Sequence, residues 1–192
     1  MKGLGLKVFL DLKFHDIPNT AANYCREAVR MGVGLLTIHA SSGSGMMTAC
    51  AEAVRDEATR LKCEAPKVLA VTALTSLSDG DLADVGVPGG RDAQVPRLAE
   101  LARDAGVDGV VCSVAEAASV RRACGRIFLI VTPGVRPAGA LADDHARSAT
   151  PADAVAAGAD YIVVGRPVYG ADDPGGAAGS IAAEISAARE NG

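Results

Sequence analysis

Asp11, Lys13 and Asp16 lie close together in the segment Phe9-Leu-Asp-Leu-Lys-Phe-His-Asp-Ile-Pro-Asn-Thr20. The run Lys7 to Leu12 is apolar enough for a strand, yet it carries Asp11 and is followed at once by Lys13. Side chains two apart on a strand share a face, so Asp11 and Lys13 point the same way. Charges on a strand fit for a core are costly unless they are paired. An Asp-x-Lys-x-x-Asp array at a strand end is a place where protons can be moved. On spacing alone, a structural ion pair at a strand terminus accounts for these residues equally well.

A second chemistry is written later in the chain. Pro133-Gly134-Val135-Arg136-Pro137 and Gly165-Arg166-Pro167 each follow an apolar run. Glycine lets backbone N–H groups approach an anion, and arginine adds paired charged hydrogen bonds. Either loop alone reads as an ordinary turn with a solvated arginine. Together, and beside the Asp/Lys strand, they point to a phosphate grip.

The elements that must position these residues alternate. Strands are predicted at Lys7–Leu12, Leu35–His39, Val68–Ala73, Gly109–Cys112, Ile127–Thr132 and Tyr161–Val164. They are rich in Val, Leu and Ile without strict alternation, as expected for parallel strands covered on both faces. One helix is predicted from Asn19 or Thr20 to Gly32, with Ala21, Tyr24, Cys25, Ala28 and Met31 on its apolar face. Others follow Ser44, run from about Asp92 to Ala105, and open at the capping box Ser113–Glu116. Thr150-Pro151 reads as an N-cap and first-turn proline, and an Ala-rich helix runs from about Gly175 to Ala188. Repeated β/α units mean a parallel sheet, either a barrel or a doubly wound sheet. No Gly-x-Gly-x-x-Gly follows the first strand, which argues against a dinucleotide fold. His39, Ser41, Thr72, Thr75, Ser113, Gly134, Arg136, Gly165 and Arg166 fall at or just past C-terminal strand ends, the face that carries the site in a TIM barrel. The fold expected is therefore α/β of the TIM (β/α)8-barrel type, present as about six β/α units in one domain over 1–192.

Composition narrows the function class. The 192 residues are 49% hydrophobic and 22% charged, which is globular rather than disordered. A net charge of −4 argues against general nucleic-acid binding. No apolar run reaches the roughly 18 residues of a membrane span, and the first residues do not read as a signal peptide. Cys25, Cys50, Cys63, Cys112 and Cys124 form no Cys-x-x-Cys, so they read as reduced thiols of a cytoplasmic protein, with no zinc site.

Residues 11–20, Asp-Leu-Lys-Phe-His-Asp-Ile-Pro-Asn-Thr, resemble the active-site signature of the orotidine 5′-phosphate decarboxylase family. That family makes UMP from OMP in pyrimidine biosynthesis. His39-Ala-Ser41, Leu74-Thr-Ser76, Thr132-Pro-Gly-Val-Arg-Pro137 and Val164-Gly-Arg-Pro167 resemble further family motifs in the same order. The resemblance implies that Lys13 is the proton donor, flanked by Asp11 and Asp16. It implies that Asp16, Ile17, Pro18, Asn19 and Thr20 line the site at a dimer interface and that Thr75 contacts the substrate. It gives the phosphate to Arg136, Gly165 and Arg166, and makes Pro133 to Thr150 a lid. No metal or organic cofactor is implied; the ligand is OMP or UMP.

Two features depart from the family pattern. Where the lid of the family offers a glutamine, alignment from Arg136 places His145. Family members also begin with two further β/α units, which supply an Asp for the ribose and a second Lys. Met1-Lys-Gly-Leu-Gly5 reads as the tail of a preceding helix. The expectation is an incomplete barrel from a shortened gene model or fragment, a homodimer only when the barrel is complete. The alternatives are a non-catalytic phosphate-binding fragment or pseudoenzyme, and a metal-dependent sugar-phosphate synthase or decarboxylase of the same fold. Against the latter stands Ile17-Pro-Asn-Thr20, the OMP version of the motif.

Overall fold

The structure is a computed structural model and describes residues 5–137 and 149–190. Six strands form one parallel sheet: β1 (Phe9–Phe14), β2 (Leu35–His39), β3 (Lys67–Val71), β4 (Gly109–Val111), β5 (Leu129–Pro133) and β6 (Tyr161–Val163). Their spatial order is their sequence order, β1-β2-β3-β4-β5-β6. A doubly wound sheet would reverse direction at a switch point; this one winds one way only, as a barrel does. β1 and β6 are its two edges among the described residues.

Helices α1 (Pro18–Met31), α2 (Ser44–Leu61), α3 (Asp79–Asp84), α4 (Gly90–Asp104), α5 (Val114–Cys124), α6 (Pro151–Ala156), α7 (Arg166–Tyr169) and α8 (Pro174–Glu190) fill the connections. Local chemistry sets many of their ends. Pro18 opens α1 and Gly32, at φ 64°, closes it. Ser113 with Glu116 and Thr150 with Asp153 form capping boxes for α5 and α6. Two helices were not expected. α3 has its own capping box, Ser78 with Asp81, but it spans only six residues and offers too little periodicity to read. α7 is a single turn behind Gly165.

Strand alternation divides the side chains into two faces. Leu36, Ile38, Val68, Ala70, Val110 and Ile130 join Ala21, Cys25, Ala28, Met46, Met47, Cys50 and Val54 of α1 and α2 in one buried cluster. Thr37, Leu69, Val71 and Val131 fall on the alternate positions and are buried on the other face. Gly109 is forced by this packing, because a Cβ there would lie 2.4 Å from the Leu129 carbonyl oxygen. The apolar face expected for α1 is narrower than its spacing suggested. Ala21, Cys25 and Ala28 are buried, whereas Tyr24 and Met31 are exposed. Tyr24 instead flanks Phe14, with ring centroids 5.2 Å apart.

Strand ends moved as well. β1 was expected at Lys7–Leu12 and lies at Phe9–Phe14, so Lys13, expected just past the strand, is the penultimate residue of its C-terminal end. β5 was expected from Ile127, but Ile127 is exposed and the strand starts at Leu129.

Candidate active site

β1 and β2 do not pair evenly. Leu10 stands opposite Leu36 and Phe14 opposite Ile38, so Asp11, Leu12 and Lys13 face Thr37 alone. The extra residues form a β-bulge. Lys13 reaches it by adopting φ 52°, the left-handed region, which costs an L-residue about 1–2 kcal/mol. Regular alternation is thus not what brings Asp11 and Lys13 together; the bulge does. Lys13 Nζ donates to Asp11 Oδ2 at 2.7 Å. Both side chains remain partly open to solvent, at 36% and 47%.

Thr37, fully buried on β2, ties the bulge from behind. Its Oγ1 donates to Asp11 Oδ1 at 2.9 Å and accepts the Lys13 backbone N–H at 2.9 Å. His15 and His39 follow on the same end of β1 and β2, their rings 5.0 Å apart. Partial burial, the neighbouring His15 and the Lys13 ammonium hold the His39 imidazole below its ordinary pKa, against the opposing pull of Asp11.

Asp16 turns the other way. Its carboxylate accepts the Ile17 N–H at 2.7 Å and the Tyr24 hydroxyl at 3.4 Å, so it braces the start of α1 and does not pair with Lys13. Ile17, Pro18 and Asn19 are exposed beside it and Thr20 is half-buried. Thr75 lies exposed in the loop after β3, and its carbonyl accepts from Arg91 Nη1 at 3.4 Å.

The two loops expected to grip a phosphate leave the same end of the sheet. Gly134 and Arg136 follow β5 directly, and Gly165 and Arg166 follow β6. The Arg136 N–H donates to the Ala149 carbonyl at 2.9 Å, and Val135 bridges Ala149. The two stems of the expected lid are therefore joined; His145 and residues 138–148 lie outside the described residues. Other polar residues expected on this face are spent on structure. The Thr72 hydroxyl donates to the Val111 carbonyl at 3.0 Å, and Ser113 caps α5. Thr37 and Arg91 were not singled out in the sequence. A lone threonine in Leu-Leu-Thr-Ile-His, two before His39 and so on its face, was the available signal for the first.

A family model described as Orotidine 5′-phosphate decarboxylase / HUMPS family matches residues 1–181. The chain belongs to the orotidine 5′-phosphate decarboxylase family. It is 54% identical over 186 residues to an orotidine 5′-phosphate decarboxylase of Alkalilimnicola ehrlichii, covering 97% of this chain and 77% of the relative. A decarboxylase of the same name from Syntrophotalea carbinolica is 52% identical over 188 residues, 98% of this chain and 77% of the relative. Among solved structures, orotidine 5′-phosphate decarboxylase from Lactobacillus acidophilus superposes with a TM-score of 0.85 at 39% identity, over 96% of this chain and 77% of the other. The six-stranded sheet is thus part of an α/β TIM-barrel-like fold, and the chain spans about three quarters of the length of these relatives. The family reaction is a decarboxylation in pyrimidine biosynthesis.

Proposed function

We propose that Lys13 is the proton donor in the conversion of OMP to UMP. The observation that carries this reading is the Asp11–Lys13 pair, 2.7 Å apart on a left-handed bulge at the C-terminal end of a parallel strand. Loss of the carboxylate from C6 of the pyrimidine as carbon dioxide leaves the bonding electron pair on C6. The Lys13 ammonium offsets that charge and then delivers a proton to C6, forming the new C–H bond. Asp11 accepts one ammonium hydrogen and so fixes the direction of the others. Solvent returns a proton to Lys13.

Arg136 and Arg166, with the backbone of Gly134 and Gly165, supply the grip on the 5′-phosphate, where binding energy far from the ring is used to hold the ring in place. Asp16 through Asn19 are exposed at the mouth, and the exposed Ile17 supports a second protomer covering it in a homodimer. In this reading His145 lies on the segment that covers the phosphate.

The test is an assay for carbon dioxide release from OMP, run on this chain and on a chain extended upstream to the length of its relatives. The expected result is turnover that disappears in Lys13→Ala. Retention of near-normal turnover by a folded Lys13→Ala protein would overturn the assignment.

A further inference from the structure

We infer that Thr37 is a positioning residue for the proton donor, acting through both Asp11 and the Lys13 backbone; the inference rests on the reading of Lys13 given above. A threonine hydroxyl has one hydrogen to donate and lone pairs to accept. Here the hydrogen goes to Asp11 Oδ1 at 2.9 Å, and a lone pair takes the Lys13 N–H at 2.9 Å. Asp11 uses its other oxygen, Oδ2, for the Lys13 ammonium. One buried hydroxyl thereby closes a ring of contacts through Asp11, the Lys13 side chain and the Lys13 backbone.

The register makes Thr37 the only β2 residue available for this. It alone stands opposite the three bulged residues, because its neighbours Leu36 and Ile38 pair with Leu10 and Phe14. In a bulge the ladder bonds are lost, and a side chain has to stand in for them. Lys13 at φ 52° has no glycine-like freedom to rest there, so the hydrogen bond to its N–H is what holds the turn. The Thr37 side chain has no exposure to solvent, so it touches no substrate and works only through Asp11 and Lys13.

The consequence is specific to charge at C6. Thr37→Val keeps the shape of the side chain and removes both hydrogen bonds. Asp11 is then free to rotate, and the ammonium loses its fixed direction. A nucleotide with no charge at C6 does not sense this, whereas one with an oxyanion at C6 does.

The experiment is calorimetric titration of the chain with UMP and with 6-hydroxy-UMP, whose C6 oxygen is ionised at neutral pH. Wild type is expected to bind 6-hydroxy-UMP more tightly than UMP. Thr37→Val is expected to lose about tenfold or more in affinity for 6-hydroxy-UMP while UMP affinity holds, and Thr37→Ser to restore it. Equal losses for both ligands, unchanged affinity for both, or failure of Thr37→Ser to restore binding would overturn the role of Thr37. Wild type that binds UMP but does not prefer 6-hydroxy-UMP would instead overturn the placement of Lys13 at C6. Wild type that binds neither would overturn the pyrimidine-nucleotide reading, and the role of Thr37 with it.

Discussion

At the N-terminal ends of the strands, Asp108 and Asp160 occupy equivalent places. Asp108 follows Gly106 and Asp160 follows Gly158, both glycines at positive φ in the turn from helix to strand. The Asp108 carboxylate accepts the Val68 N–H and the Lys67 ammonium, each at 2.9 Å. The Asp160 carboxylate accepts the Ile130 N–H at 2.8 Å and the Arg121 guanidinium at 2.7 Å. Arg121 goes on to bind the carbonyls of Gly125, Arg126, Phe128 and Gly158. At the C-terminal ends, by contrast, Asp11 binds no backbone N–H among the described residues; its partners there are a hydroxyl and an ammonium. There Lys13 takes the left-handed conformation inside the strand pairing. Asp108 and Asp160 are spent on the backbone, each two residues after a left-handed glycine. Asp11 is kept for a side chain, beside the strain at Lys13. With Lys13 as the proposed proton donor, stability and chemistry separate along the strands, the division expected of a TIM barrel.

The largest expected break in this contrast is Lys13→Ala. Turnover should fall by about 10³-fold or more, in line with loss of a general acid and its charge. Thermal unfolding should show a midpoint that holds, because the lost ion pair is partly exposed. At the opposite end, Arg121→Ala should remove about 3 kcal/mol of stability through its lost charged hydrogen bonds, measured by urea unfolding. Turnover per folded molecule should not change. Loss of turnover without loss of stability in Arg121→Ala would erase the separation.

Arg166→Ala tests the phosphate loops. Its affinity for UMP should drop about 10- to 100-fold, equivalent to a charged hydrogen bond of roughly 1.5–3 kcal/mol, with uridine binding unchanged. Equal losses for both would make Arg166 a structural residue like Arg121.

His39, at the C-terminal end of β2, and Glu57, on α2, should also part on acidification. The folded pKa of His39 lies below its ordinary value, so the unfolded chain binds the proton more readily. That stability is present above about pH 6.5 and is lost as pH falls below it. Glu57 of α2 is held at about 2 by its hydrogen bonds to Arg60 and then Arg30, against the cost of burial. Its contribution is full above the ordinary carboxylate range and is lost progressively as pH falls from there to about 2. Unfolding midpoints followed from pH 8 to pH 3 should show a first loss near pH 6 that His39→Gln abolishes and Glu57→Gln leaves in place.

The smallest effect sharpens the meaning of strain. Lys62, at the C-cap of α2, has φ 54°, nearly the value of Lys13. Lys62→Gly should gain up to about 1 kcal/mol, read from the unfolding midpoint, at no cost in turnover. Lys13→Gly should relieve similar strain and still abolish turnover.

Much of this was written locally. Ser113 with Glu116, Thr150 before Pro151, and Gly32 after an apolar stripe mark helix ends through bonds that span three or four residues, so the sequence alone places them. The segment from Asp11 to Thr20 and the Gly-Val-Arg-Pro and Gly-Arg-Pro loops are each contiguous, and they name the family without any fold. The short helices α3 and α7 escaped, because six and four residues carry no clear period. What only the tertiary structure decided is how the contiguous residues are held. Thr37 meets Asp11 and Lys13 across 26 and 24 residues of chain. The bulge exists only because β2 presents one residue to three. Asp16, drawn beside Lys13 by its spacing, belongs to the start of α1. Thr72 and Ser113, polar residues on the expected face, turn out to close backbone groups. Spacing along a strand tells which residues share a face; pairing with a distant strand decides which of them are free to act.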